Sequence, residues 1–206
     1  MYIPEHFVQT DTTTLHEFIR QHSFATLVTQ HNSVPFASHL PMMLDSSIGS
    51  HGALLGHMAR NNPQWRDFEA GAEVLVMFQG AHAYVSPAWY EPNAMVVPTW
   101  NYMAVHAYGV ARVLSEVELE KTLYQLVDEH EKSFTQPWKF VLTETMRERM
   151  LSAIVGFEIS LSRIEGKFKL SQNRSEKDQR NVIVELSQSA YGKDVAHCMS
   201  IELERK

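Results

Sequence analysis

An apolar run that ends in a corner and a helix start, residues 53–65, constrains the course of this chain more than any other stretch. Ala53, Leu54 and Leu55 read as strand. Asn62 followed by Pro63 reads as a helix start, because Asn is a favoured N-cap and Pro is favoured at the first helical position. A single cation, Arg60, stands between them. Helix N-termini offer unpaired N–H groups and a positive dipole end, so the corner suits an anion. An ordinary strand-to-helix turn with a solvated arginine accounts for the same residues.

Around that corner the chain reads as short strands separated by turn signals. Thr14-x-x-Glu17 resembles a capping box and opens a helix over 13–22. Ser23 to Gln30 and Val34 to Leu44 form a hairpin through His31-Asn32-Ser33. Pro35 and Pro41 lack backbone donors, which makes the second strand an edge or a broken one. Ala53 to Met58 is a third strand, and a helix over Pro63 to Ala70 ends at Gly71. Glu73 to Gln79 shows little alternation and reads as a strand buried on both faces, broken by Gly80. His82 to Ser86 follows, then a loop over 87–98. Trp100 to Leu114 is a long strand with Trp100, Tyr102, Ala104, His106 and Tyr108 on one face. Ser115-x-x-Glu118 caps a helix running to about His130. A short helix around Glu144–Leu151 precedes a strand over Ala153 to Ile164, and Lys167 to Leu170 reads as a further one. Ser175-x-x-Asp178 opens a helix ending near Ala190, and residues 194–204 form a weak helical tail. Six or seven strands with short connections and segregated helices predict α+β, a mostly antiparallel split barrel with peripheral helices and a helical C-terminal region. Residues 1–171 read as one domain and 172–206 as a helical extension.

Composition narrows the function. The net charge is −6, so the whole surface is not built to coat nucleic acid. A single cysteine, Cys198, excludes a disulfide framework within the chain and favours a reducing cytosol. The N-terminus lacks a signal-peptide pattern, and no apolar run approaches the roughly 18 residues of a spanning helix. Eleven histidines are present. They lack a His-Glu-x-x-His pattern or paired cysteines, which leaves metal binding weakly supported. Nucleophile elbows, Gly-x-Gly-x-x-Gly and Walker loops do not occur.

Two further clusters stand out. Residues 84–90 and 98–102 gather Trp, Tyr, Ser and Asn around a loop. Flat rings and a few amides suit a planar ligand, and equally fill a barrel mouth or a dimer interface. Residues 167–180 carry Lys167, Lys169, Arg174, Lys177 and Arg180 against Glu176 and Asp178. That segment could hold a phosphate, touch DNA, or be a solvated helix start.

Seven stretches in order resemble the PaiB-type FMN-binding negative transcriptional regulators. They are Tyr2-Ile3-Pro4, Ala37–Pro41, Gly56–Trp65, Phe78-Gln79-Gly80, Tyr84–Tyr90, Val97–His106 and Lys169–Asn173. The resemblance implies an FMN-binding split barrel, a homodimer with flavin at the subunit interface. It implies that Arg60, with His57, Met58, Ala59 and Asn62, meets the flavin phosphate. Ser38, His39 and Leu40 would line the isoalloxazine or ribityl. Gln79, Trp100 and Asn101 would contact the ring, and Lys169 and Gln172 would reach the flavin across the interface. Three functions remain open: a cytoplasmic flavin-binding regulator that meets DNA or a partner protein, an FMN-dependent oxidoreductase on the same barrel, and a haem-binding relative.

Overall fold

A computed structural model describes residues 1–92 and 97–205. Part of the loop expected over 87–98, residues 93–96, lies outside them. The chain is α+β. Among the described residues there are eight strands, β1 (Val8–Gln9), β2 (Phe24–His31), β3 (Val34–Pro41), β4 (Met43–Asp45), β5 (Ala53–Ala59), β6 (Glu73–Val85), β7 (Thr99–Val113) and β8 (Ile154–Lys169). They form one sheet in the order β3-β2-β6-β7-β8-β5-β4, with β1 beside β8. The helices are α1 (Thr12–Gln21), α2 (Glu116–Glu131), α3 (Glu144–Ala153), α4 (Glu176–Gln188) and α5 (Lys193–Glu204). Among the described residues no helix is long and apolar enough to cross a membrane. The chain divides into two compact units, one of Ile19–Phe78 with His106–Ile164 and one of Met1–Phe18, Gln79–Val105 and Glu165–Lys206.

In the first unit β2 and β3 pair antiparallel from Phe24↔Pro41 to His31↔Val34. Asn32 and Ser33 both carry positive φ, 51° and 64°, the primed geometry that matches strand twist. β3 sits at one end of the strand order, where Pro35 and Pro41 are tolerated. The strand expected over Val34–Leu44 is broken at Met42, whose N–H donates to Ser23 O at 2.8 Å. β5 pairs β8 from Ala53↔Ser160 to Ala59↔Ile154. Leu27, Leu54, Val76, Phe78, Phe157 and Ile159 fill the interior with less than 2% exposure. α2 carries the capping box that its sequence predicts, with Ser115 and Glu118 bonded reciprocally. Arg112 and then Ser115 hold the Glu118 carboxyl down at about 2. Leu119, Leu123 and Leu151 close over Leu55 and Leu114 as a second apolar cluster.

In the second unit β1 pairs β8 through Val8↔Lys167 and Gln9↔Gly166. Phe18 meets Phe168 at 5.3 Å between ring centroids. α4 starts at Ser175, whose hydroxyl accepts from Asp178 N at 3.1 Å. Val182, Leu186, Val195, Ala196 and Met199 bury the helix pair's inner faces.

Three expectations need correction. β6 is one strand from Glu73 to Val85, so Gly80 does not break it, and its burial alternates rather than covering both faces. β8 likewise runs unbroken to Lys169, because Gly166 pairs with Gln9. The cap of α1 is Asp11, not Thr14: the Asp11 carboxylate accepts from Thr14 N at 2.7 Å. A carboxylate one turn earlier satisfies the N-terminal donors better than a hydroxyl inside the helix.

Candidate flavin site

In the first unit the corner is built as a braced turn. Asn62 N–H donates to Ala59 O at 2.9 Å, and the Asn62 side-chain oxygen accepts from Gln64 N at 3.0 Å. Pro63 then opens a 3-10 segment, Pro63–Ala70, which ends at Gly71 in the left-handed region, φ 62°. The Asn62 amide also donates to Ser38 Oγ at 2.8 Å, joining the corner to β3. Gln64 locks the same joint. It is fully buried, and its Nε2 donates to Leu27 O and Phe36 O at 3.1 and 3.2 Å. Sequence reading missed Gln64 as a positioning residue; the signal available was an amide two residues past the cap.

Arg60 is exposed, but its guanidinium is anchored. Nε donates to Ser152 O and Nη2 to Ile154 O, both at 2.7 Å, across the end of α3. A cation there complements the negative end of the helix. The anchoring fixes where the charge stands and leaves donors on the remaining nitrogen. Met58 points inward at 2% exposure, and Ala59 is exposed. His39 is exposed on β3, 3.0 Å from Thr26 Oγ1 through Nδ1, and stacked at 24° on Phe24, which is 70% exposed. Leu40 beside it is half-buried.

His57 is half-buried, and its Nδ1 is enclosed without a hydrogen-bond partner. Burial lowers its pKa. A lowered folded-state pKa means that the unfolded chain binds the proton more readily. The fold should therefore keep its full stability above pH about 6.5 and lose part of it as pH falls below that value. His57→Asn should flatten this acid-side slope, measured as urea midpoints across pH 5–7. A slope equal to the parent's would assign the effect to other histidines.

In the second unit Lys169 is central. Its Nζ donates to Thr99 Oγ1 and to Trp100 O, and lies 5.9 Å from the Phe7 ring centre. Burial first, then Lys167 and Arg174, lower its pKa. Trp100 is 53% exposed, with the His82 and Tyr84 rings 6.2 and 6.1 Å away. Gln79 is exposed on β6. Two residues are turned to internal work. Asn101 is buried and bonds Ser171 Oγ at 2.9 Å and Met199 Sδ at 3.3 Å. Gln172 closes the chain end of β8, accepting from Leu170 N and donating to Phe168 O.

Residues 1–163 match the model of the family described as "Putative FMN-binding domain". The chain belongs to this family. As an FMN-binding domain it takes FMN, and its residues fit that group. Each unit leaves flat rings uncovered, Phe24 with His39 in one and Trp100 with Tyr84 in the other. Each unit also holds an anchored cation, Arg60 in one and Lys169 in the other. Rings suit an isoalloxazine and cations suit a phosphate. The chain is 41% identical over its full length to "Protease synthase and sporulation protein PAI 2" of Bacillus subtilis, covering all of that protein, so the PaiB-type resemblance holds. It is 31% identical to an uncharacterised Emericella nidulans protein, covering 89% of each. Its fold is like that of the flavocytochrome Anf3 from Azotobacter vinelandii, with TM-score 0.63, 14% identity and 87% and 78% of the two chains covered. It is also like that of the FAD and heme binding protein from Mycobacterium smegmatis, with TM-score 0.62, 16% identity and 83% and 78% covered.

Proposed function

We propose that this FMN-binding domain is a PaiB-type regulator that holds its flavin at a homodimer interface in the cytosol. It acts through flavin state or a partner protein, without laying a basic face on DNA. The absence of a basic face for DNA is supported by the condition of segment 167–180, and the regulator reading by the likeness to the Bacillus subtilis protein. Lys167 is buried and donates to Tyr2 O at 3.0 Å. Lys169 is bonded to Thr99 and Trp100. Arg174 lies 5.0 Å over the Tyr90 ring. Lys177 pairs with Glu91, and Arg180 with Glu176. DNA affinity needs cations free to displace counterions from phosphates. These five are engaged within their own unit.

The uncovered rings argue for a second copy of the chain over the flavin, since large exposed apolar surface marks an interaction site. Arg60, with the His57–Ala59 strand end and Asn62, would hold the phosphate. Ser38, His39 and Leu40 would line the ribityl or ring, and Trp100 and Gln79 the ring face. Bound FMN supplies electron and hydride transfer. Lys169 would place a cation near it.

Two experiments test the reading. Arg60→Ala should weaken FMN binding by about 2 kcal/mol, read as a Kd from flavin fluorescence; an unchanged Kd would move the phosphate elsewhere. Gel shifts of the FMN-loaded protein on its own promoter at low salt should show no salt-dependent complex. A retarded band that fades with salt would contradict the proposal. A second reading, an FMN-dependent oxidoreductase, draws on the fold shared with a flavocytochrome. Steady NAD(P)H consumption under air would favour it, and a haem Soret band in the purified protein would favour a haem-binding relative.

A further inference from the structure

Two cavities in the first unit share His130. One, of about 330 Å³, lies where the end of α1, the β3–β4 junction and the end of α2 meet, and is lined by Arg20, Ser23, Met42, Lys132 and Ser133 among others. The second, of about 230 Å³, is lined by Pro41, His57, Leu123, Leu126, Val127 and Trp138 with His130 and Glu131. The first is mixed, with polar groups beside Met42, Met43 and Leu44, and the second is mostly apolar. We propose that the two cavities form one binding site for a small amphipathic carboxylate, its apolar body against α2 and its carboxylate at Arg20. This goes beyond the flavin reading and does not depend on it.

The charges decide the class of ligand. Lys132 is paired with Glu129, and Glu131 accepts from Trp138 N at 2.7 Å. Arg20 has a single hydroxyl partner, Ser46 Oγ at 3.0 Å, and no ion pair among the described residues. A guanidinium with open donors binds a carboxylate in a charge-assisted, often bidentate, geometry. Ser23 and Ser133 add hydroxyls beside it. His130 lies seven steps beyond Leu123 on α2, about 10 Å along the helix. That length suits an arylalkyl or medium-chain alkyl acid. Met42 and Met43 supply adaptable walls. Burial favours the neutral form of His57, so the apolar end presents a neutral ring rather than a cation. The larger cavity alone reaches the size at which small-ligand sites begin, about 300 Å³.

The test is isothermal titration of the full chain, FMN-loaded, with 4-phenylbutyrate and octanoate, and with the matching alcohols as controls. Intrinsic fluorescence of the parent and of Trp138→Phe reports whether the ligand reaches the apolar end. Both acids should bind more tightly than their alcohols. Arg20→Gln should weaken the acids by about tenfold or more while leaving the alcohols unchanged. Trp138→Phe should remove the ligand-dependent fluorescence change. Absence of binding by both acids at millimolar concentration overturns the proposal. So does equal binding of acid and alcohol, or an affinity indifferent to Arg20→Gln. Flavin absorbance recorded in the same samples keeps this outcome separate from any failure to hold FMN.

Discussion

Gly109→Ala should leave the chain largely unfolded or insoluble. A Cβ at Gly109 would stand 2.2 Å from Ser160 O, 2.9 Å from its carbonyl carbon and 3.0 Å from Ile159 Cγ2. The oxygen belongs to the backbone of β8, which cannot swing aside as a side chain can. Ser160 pairs with Ala53 and Ile159 with Leu54, so moving β8 also disturbs β5 and the corner it leads to. Effects above about 4 kcal/mol are rare and come from a short list of causes, overpacking among them. Native domains hold only about 5–15 kcal/mol in total. Urea unfolding followed by circular dichroism checks this. A soluble variant with the parent's midpoint would show that β7 and β8 do not approach so closely.

Phe157→Ala should cost about 3–5 kcal/mol, the range for deleting a buried aromatic and leaving a cavity. Phe157 has 0% exposure and sits 5.6 Å from Phe68, centroid to centroid, with the planes at 59°. Its ring packs on the backbone of Gly56, where an added Cβ would come within 2.8 Å of Cζ. The ring therefore supports the residue at which the corner motif begins. Loss of stability should be accompanied by weaker FMN binding in the fraction still folded. Phe157→Leu, which keeps most of the volume, should lose less of both. Thermal unfolding with and without FMN separates the two effects. A variant of unchanged midpoint would mean that the site under Gly56 collapses without penalty.

The parts of the fold that sequence made legible are those set by neighbouring residues. Asn32-Ser33 turned the hairpin, Ser115 and Glu118 capped α2, and Gly71 ended the segment begun by Asn62 and Pro63. Punctuation misled where distant pairing overrode it. Gly80 lies inside β6, and the gap expected between Ile164 and Lys167 lies inside β8, where Gly166 pairs with Gln9. A glycine weakens a strand but does not end one whose flanking residues are paired. At the candidate site the split is the same. The Asn62 cap and the cation at Arg60 were readable from the motif. The anchoring of Arg60 on carbonyls 92 and 94 residues away was not, nor was the turn of Asn101 toward Met199, 98 residues on. Such partners are chosen by packing, and spacing along the chain carries no trace of them.

We propose that the braced corner and the uncovered rings serve FMN. The absorbance spectrum of the purified protein, before and after FMN is added, tests it most directly. The purified protein should be yellow, with flavin bands in the near-ultraviolet and blue. Those bands should alter on denaturation as flavin is released, and return when FMN is supplied to refolded chain. A folded, colourless protein whose spectrum and stability ignore added FMN would contradict it.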